Sequence, residues 1–95
     1  ANDLAKYVAY QLAAWPPRDD PERGPVRRSS VREMQRVWRT SGLNVTRMGD
    51  GPIQASAVGY GYGLGIMHDC RFSHAVSHGG GLPGFGSNMA WLPEY

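Results

Sequence analysis

The chain has 95 residues, of which 41% are hydrophobic and 19% are charged, and its formal net charge is +2 at pH 7. A chain of this length forms at most one small domain that buries roughly 60–65% of its unfolded surface, so its stability alone is expected to be marginal. No apolar stretch approaches the roughly 18 residues that a membrane-spanning helix needs. Cys70 is the only cysteine, which excludes an internal disulfide and a multi-cysteine metal site. We expect no metal and no cofactor, and the composition does not indicate a cellular location.

Four arginines recur at helical spacing and supply part of the positive charge; they are Arg28, Arg32, Arg36 and Arg39. Such a stripe can bind phosphates. However, acidic residues lie close to it in sequence, and no aromatic residues alternate with it to stack bases. We interpret the stripe as a solvated helix face and expect no nucleic-acid partner.

Two helices are predicted in the first 42 residues. Apolar residues recur every three or four positions from Asp3 to Trp15, and the two prolines that follow end this amphipathic helix. The charged, proline-punctuated stretch after it indicates an exposed loop. Ser30 and Glu33 have the spacing of a capping box, which predicts the start of a second helix.

The remaining residues have β-sheet patterns. Residues 43–58 predict a short strand or loop with a turn at residues 49–52. Bulky residues then alternate with glycine from Tyr60 to Ile66, which predicts a strand whose bare face is pressed against another backbone. Two further strands are predicted at residues 72–78 and 87–92, joined by a glycine-rich connection. Such short connections favour an antiparallel sheet.

His68 and His74 flank a predicted turn at residues 69–71. Their spacing matches no known metal site, so both histidines and Cys70 are expected at a surface turn. The three tryptophans, Trp15, Trp38 and Trp91, are expected to anchor the core.

The glycine-rich run from His78 to Ser87 carries the functional signal. Glycine has no Cβ, so a ligand can reach the peptide N–H groups of such a run directly. The run therefore predicts a binding or catalytic edge. A histidine followed by three glycines also occurs in the oxyanion-hole motif of α/β-hydrolase lipases and esterases, and this alternative is kept. That fold needs a Gly-x-Ser-x-Gly elbow downstream, and neither Ser77 nor Ser87 has the flanking glycines.

Four segments resemble the serine β-lactamase and penicillin-recognising superfamily, in particular its class C-like branch of esterases, D-aminopeptidases and β-lactamase-related hydrolases. Residues 2–7 and 28–34 are similar to two of its helices. Residues 61–65, Gly-Tyr-Gly-Leu-Gly, resemble the strand before the active-site strand, and residues 78–87 resemble the His-x-Gly version of the third motif. The last two segments, in this order and about a strand apart, are the specific ones.

The resemblance implies an α/β class protein with the α+β sandwich of the β-lactamase/transpeptidase-like fold. Residues 1–95 would be the C-terminal portion of a single serine hydrolase domain. They would supply two helices within residues 1–42 and about three antiparallel strands within residues 43–95. The start at Ala1 rather than at a methionine agrees with the expectation that the chain is part of a longer polypeptide.

The resemblance also implies roles for individual residues. His78 stands at the lysine of Lys-Thr-Gly, Gly79 at the threonine and Gly80 at the glycine, while the N–H of Gly81 falls in the oxyanion hole. The expected catalytic residues are thus His78, Gly80 and Gly81, and the expected substrate-binding residues are Gly79, Tyr62 and Phe85. An imidazole is a less certain cation at neutral pH than an ammonium group. Without the resemblance, His78 would be interpreted as a half-buried strand histidine bonded to a neighbouring carbonyl.

The catalytic serine is missing from this sequence. The family's nucleophile lies in Ser-x-x-Lys and its second motif is Tyr-x-Asn or Ser-x-Asn, but the single lysine, Lys6, follows Asp3 by three positions, and no asparagine has tyrosine or serine two residues before it. These residues alone are therefore expected to be inactive as a serine hydrolase. The expected partners are the remaining part of the catalytic domain, as an N-terminal half or a companion chain, and a small-molecule or peptide substrate. The substrate would be an ester, a D-amino-acid amide or peptide, or a β-lactam, between which the sequence does not choose. The alternative is a non-catalytic binding or structural module of the same fold.

Overall fold

The computed structural model describes residues 2–22, 24–47 and 49–94. Within them, two helices precede five strands. The helices are α1 (Asn2–Leu12) and α2 (Arg28–Met34), and the strands are β1 (Arg39–Thr46), β2 (Gln54–Tyr60), β3 (Gly65–Asp69), β4 (Ala75–Leu82) and β5 (Phe85–Trp91). The sheet order follows the chain order and each neighbouring pair is antiparallel, so the architecture is α+β with a five-stranded meander. Neither described helix has the length and apolar surface needed to cross a bilayer.

Both predicted helices form, but each is shorter than predicted: α1 ends at Leu12 rather than Trp15, and α2 ends at Met34. The capping box at Ser30 is wrong. Helix α2 begins two residues earlier, at Arg28, and its N-cap Arg27 makes no side-chain capping bond. Instead, Glu22 of the preceding loop accepts a hydrogen bond from the Arg28 N–H at 3.0 Å. A loop carboxylate therefore satisfies one of the unpaired N–H groups at this helix end.

The arginine stripe is solvated only at Arg36 and Arg39, which lie beyond the end of α2, whereas Arg28 and Arg32 are half-buried. The Arg28 side chain is only 13% exposed, and its guanidinium donates to the carbonyls of Pro21 and Arg18 at 3.1 and 3.3 Å. Arg32 donates to the carbonyl of Ala14 at 2.7 Å. Carbonyls outside regular elements need donors, and these two arginines supply them to the segment that joins the helices.

Five strands form where about three are expected. Residues 43–58 contribute to β1 and β2, and the sheet already begins at Arg39. The glycine-alternating segment is not one strand. The Gly61 N–H donates to the carbonyl of Leu64 at 2.8 Å, and Gly63 has a φ of +71°, which makes a turn between β2 and β3. A residue in the left-handed region, such as Gly63, cannot continue a strand. The segment therefore turns after Tyr60, where β2 ends.

The glycine-rich run is mostly strand rather than connection. Strand β4 continues through Leu82, and Leu82 pairs with Phe85 across a two-residue turn. Pro83 and Gly84 occupy this turn, and Gly84 has a φ of +83°. Proline followed by a glycine at positive φ is the pattern of a type II turn.

The core lies between α1 and the middle of the sheet. Its buried members are Leu64, Ile66, Val76 and Trp91, with Val8, Leu12, Val37 and Met89 packed against them. The prediction that all three tryptophans anchor the core is wrong for Trp38, which is 54% exposed. The surface location expected of His74 is also wrong, since this side chain is buried.

Candidate functional site

Strand β4 is paired on both sides at its start and on one side at its end. Its pairing with β3 stops at Ser77, opposite Gly65, whereas its pairing with β5 continues to Leu82. Residues 78–82 therefore have an open edge. Because successive strand residues direct their N–H and C=O groups to opposite sides, alternate residues of this stretch present them to the open edge. We call residues 78–82 the β4 open edge.

Two of the three glycines of the β4 open edge, Gly79 and Gly81, are not required by packing. A Cβ atom on Gly79 or Gly81 would meet its nearest neighbour at 3.7 Å, which is ordinary contact, and on Gly80 it would meet the Ser87 hydroxyl at 3.1 Å. None of the three has a positive φ, and all are exposed. Backbone conformation requires none of the three glycines, and packing restricts only Gly80.

His78 stands at the start of this edge and is exposed. Its Nε2 lies 3.1 Å from the hydroxyl oxygen of Tyr60, the last residue of β2. The two rings meet edge to face, with centroids 6.4 Å apart and an interplanar angle of 62°. The alternative of a half-buried histidine bonded to a carbonyl is wrong, because the side chain is exposed and its partner is a phenol.

The expected substrate-binding residues lie at different places. Gly79 is on the open edge beside His78, and Phe85 lies at the far end of the same hairpin, where it is 79% exposed. Tyr62 is 57% exposed, but its ring packs against Trp38 at a centroid distance of 6.2 Å. The structure thus groups His78 with Gly79, Gly80 and Gly81 and does not place Tyr62 in contact with them.

Tyr60, rather than the expected substrate-binding residue Tyr62, is the tyrosine that contacts His78. It belongs to the glycine-alternating segment, whose tyrosines are equivalent by pattern. Only the pairing of β2, β3 and β4 distinguishes them, since Tyr60 lies opposite Gly65 and Gly65 lies opposite Ser77, the neighbour of His78. No local signal in the sequence reports this register.

The other two histidines, His68 in β3 and His74 just before β4, form a separate cluster. The His74 Nε2–H donates to the carbonyl of Gln35 at 2.6 Å, and the His74 ring stacks on His68 at 5.4 Å and meets Trp15 edge to face at 5.7 Å. Burial lowers the pKa of His74 below its ordinary value, so this ring is held neutral inside the fold. Within the described residues, no group of three or more histidine, cysteine or acidic side chains is placed to hold a metal ion.

Comparison with known proteins adds no assignment: no protein-family model, no curated protein and no solved structure matches this chain.

Proposed function

We propose that this chain forms one wall of the acyl-transfer pocket of a serine hydrolase of the β-lactamase-like superfamily. The attacking serine and its lysine are supplied by polypeptide outside these 95 residues. The observation that supports this proposal is the β4 open edge, where an exposed histidine precedes three exposed glycines, two of which packing does not require. The resemblance of residues 61–65 and 78–87 to the family's motifs gives that edge its chemical interpretation.

The proposed reaction has two acyl transfers. The serine oxygen adds to the substrate carbonyl, the leaving group departs with a proton, and the acyl group remains on the serine as an ester. Water then adds to this ester and releases the acid and the free serine. In both steps negative charge develops on the former carbonyl oxygen, and backbone N–H groups that face this oxygen stabilise the transition state.

Gly81 is the proposed donor to this oxygen from the present chain. It lies two residues after Gly79, so both direct their N–H groups to the same side of β4. Loss of one oxyanion donor typically costs about 3–4 kcal/mol of transition-state stabilisation. His78 donates a hydrogen bond to substrate at the start of the edge, and Gly79 and Gly80 leave room for the substrate against the backbone. The substrate is an ester, a D-amino-acid amide or peptide, or a β-lactam.

Covalent labelling tests this function. A fluorophosphonate or penicillin probe is expected to label the complete encoded polypeptide that contains these residues, and not the 95-residue chain alone, because the chain lacks Ser-x-x-Lys. Labelling of the isolated chain would contradict a serine located elsewhere. In the complete polypeptide, His78→Ala should slow labelling by a larger free-energy difference than the loss of stability that the melting temperature reports. The matched control His68→Ala removes an exposed histidine away from the open edge and should leave the labelling rate unchanged.

A binding module is the second candidate, and the same open edge supports it. Unpaired N–H and C=O groups on an exposed strand accept an extended peptide as an additional strand. Such a module would protect the amides of residues 78–82 from hydrogen exchange when a peptide binds. It would not be labelled by acylating probes in any context.

A further inference from the structure

The hydrogen bond between Tyr60 and His78 joins two side chains from strands that are not neighbours. Tyr60 ends β2 and His78 lies in β4, with β3 between these strands in the sheet. Strands two apart in a sheet are separated by about 9–10 Å, so side chains rarely bond directly across the intervening strand.

Gly65 lies between the strands of the two residues. It is the first residue of β3 and pairs with Tyr60 on one side and with Ser77 on the other. A Cβ atom at this position would lie 3.3 Å from the Ser77 carbonyl oxygen. The residues just before Gly65 belong to the turn, so the Tyr60 ring reaches past the start of β3 to the imidazole of His78.

The bond leaves one imidazole nitrogen free. Nε2 faces the Tyr60 hydroxyl, and within the described part of the chain no protein group bonds to Nδ1 of His78. A neutral imidazole carries its proton on one nitrogen, and the partner of the other nitrogen selects which one. A phenol hydroxyl that donates to Nε2 therefore favours the proton on Nδ1.

We propose that Tyr60 is a positioning residue for His78: its hydroxyl donates to Nε2, holds the imidazole at the β4 open edge, and makes Nδ1–H the donor to a substrate carbonyl or carboxylate oxygen. The use of that donor in catalysis rests on the proposed function. The bond and the position of the imidazole proton do not rest on it.

Nitrogen-15 NMR of the histidine side chains tests the proposal on the 95-residue chain, which has three histidines. At a pH where His78 is neutral, its Nδ1–H tautomer should predominate. Tyr60→Phe keeps the ring and removes the hydroxyl, and it should shift the tautomer ratio toward Nε2–H by roughly threefold to tenfold, as expected from the net worth of one hydrogen bond. Tyr10→Phe removes a hydroxyl on helix α1, beside a cavity that Arg28 also lines; it is the matched control and should not change the ratio.

Two outcomes would overturn the proposal. One is a His78 that carries its proton on Nε2 in the unsubstituted chain, and the other is a ratio that Tyr60→Phe leaves unchanged. If Tyr60→Phe unfolds the chain, 3-fluorotyrosine incorporated into the unsubstituted sequence provides a second measurement. Its more acidic phenol is a stronger donor, so it should raise the Nδ1–H population, and an unchanged population would count against the proposal.

The labelling experiment separates this proposal from the proposed function. A complete polypeptide whose labelling rate is the same with and without the Tyr60→Phe substitution would show a hydrolase in which Tyr60 does not position a catalytic donor. A tautomer shift without labelling of any form of the protein would leave the Tyr60–His78 pair in place and contradict the hydrolase.

Discussion

The side-chain amide of Gln35 connects three parts of the molecule. It is completely buried, and its Oε1 accepts hydrogen bonds from the indole N–H groups of Trp15 and Trp91 at 3.1 and 3.0 Å. Its Nε2 donates to the side-chain oxygen of Gln11 at 2.9 Å. The network joins α1, the residue after α2, and β5, and every member relies on the same amide. A buried polar group is stable only when its partners are present.

We expect Gln35→Met to destabilise the chain by about 2–4 kcal/mol, because the buried indole N–H of Trp91, the partly buried one of Trp15 and the Gln11 side-chain oxygen would lose their partner. The free energy of unfolding, measured with denaturant, checks this value. Gln54→Met is the control, since Gln54 is exposed at the start of β2. Equal stability of the two variants would show that the network contributes little.

His74 makes stability depend on pH. Its pKa is lowered mainly by burial; His68 and Arg36 lower it further, while the Gln35 carbonyl and Glu94 raise it. The unfolded chain therefore takes up more protons than the folded chain near the ordinary histidine pKa of 6.5. Above that pH, neutral His74 makes its full contribution to the free energy of unfolding. This contribution is lost as the pH falls below it toward the lowered pKa.

We expect the free energy of unfolding to decrease from about pH 7.5 to about pH 5, and the decrease to be smaller in His74→Gln, which keeps a side-chain N–H for the Gln35 carbonyl but does not titrate. Denaturant titrations at several pH values measure both. The lowered pKa of Asp69, held by the N–H groups of Phe72 and Arg71, acts only in a more acidic range, near and below 3.8. Identical pH profiles for both proteins would rule out His74 as the source.

At the scale of elements, glycines fix how α2 joins the sheet. A Cβ atom on Gly61 would overlap the carbonyl oxygen of Met34 and lie 2.8 Å from that of Arg36. The Tyr62 N–H also donates to the Met34 carbonyl at 3.0 Å. The prediction of a bare face pressed against another backbone is thus confirmed at Gly61, although the segment is a turn rather than a strand.

Gly61→Ala should cost about 2–4 kcal/mol, because the overlap is with backbone that can move only by separating α2 from the β2–β3 turn. Gly86→Ala is the matched control. A Cβ atom there meets nothing within 4 Å, so its melting temperature should remain close to that of the unsubstituted chain. A tolerated Gly61→Ala would mean that the approach of the two backbones is not needed for folding.

The molecule as a whole is a slab with extents of 50 × 40 × 23 Å. Its radius of gyration is 15.5 Å, whereas a compact domain of this length has about 12 Å. The excess arises because two short helices cover only part of the five-stranded sheet.

On the edge strand β1, Leu43 and Val45 are 75% and 71% exposed. Exposed apolar edge strands pair with other chains.

We expect the isolated chain to self-associate, and the double substitution Leu43→Lys and Val45→Lys to shift it toward monomer without lowering its stability. Sedimentation velocity over a range of concentrations measures the association, and thermal unfolding measures the stability. A chain that is already monomeric without the substitutions would show that β1 is not an association edge.

The sequence by itself determined the existence of two helices and roughly where each begins, the turns at residues 49–52 and 69–71, and the antiparallel character of the sheet. These features follow from local periodicity, proline and glycine, which act over a few residues. It also singled out the glycine-rich run from His78 to Ser87, since glycine content is visible in composition. Roles of individual residues in catalysis stay predictions that experiments must test.

Only the tertiary structure decided the burial of His74, the network at Gln35 and the partnership of Tyr60 with His78. Gln35 and Trp91 are 56 residues apart in the chain, and Gln35 and His74 are 39 apart. Such pairs meet because strand register and helix docking bring them together, and register is a property of the whole sheet. The open edge at residues 78–82 has the same origin, since it exists because β3 begins one position too late to pair with His78.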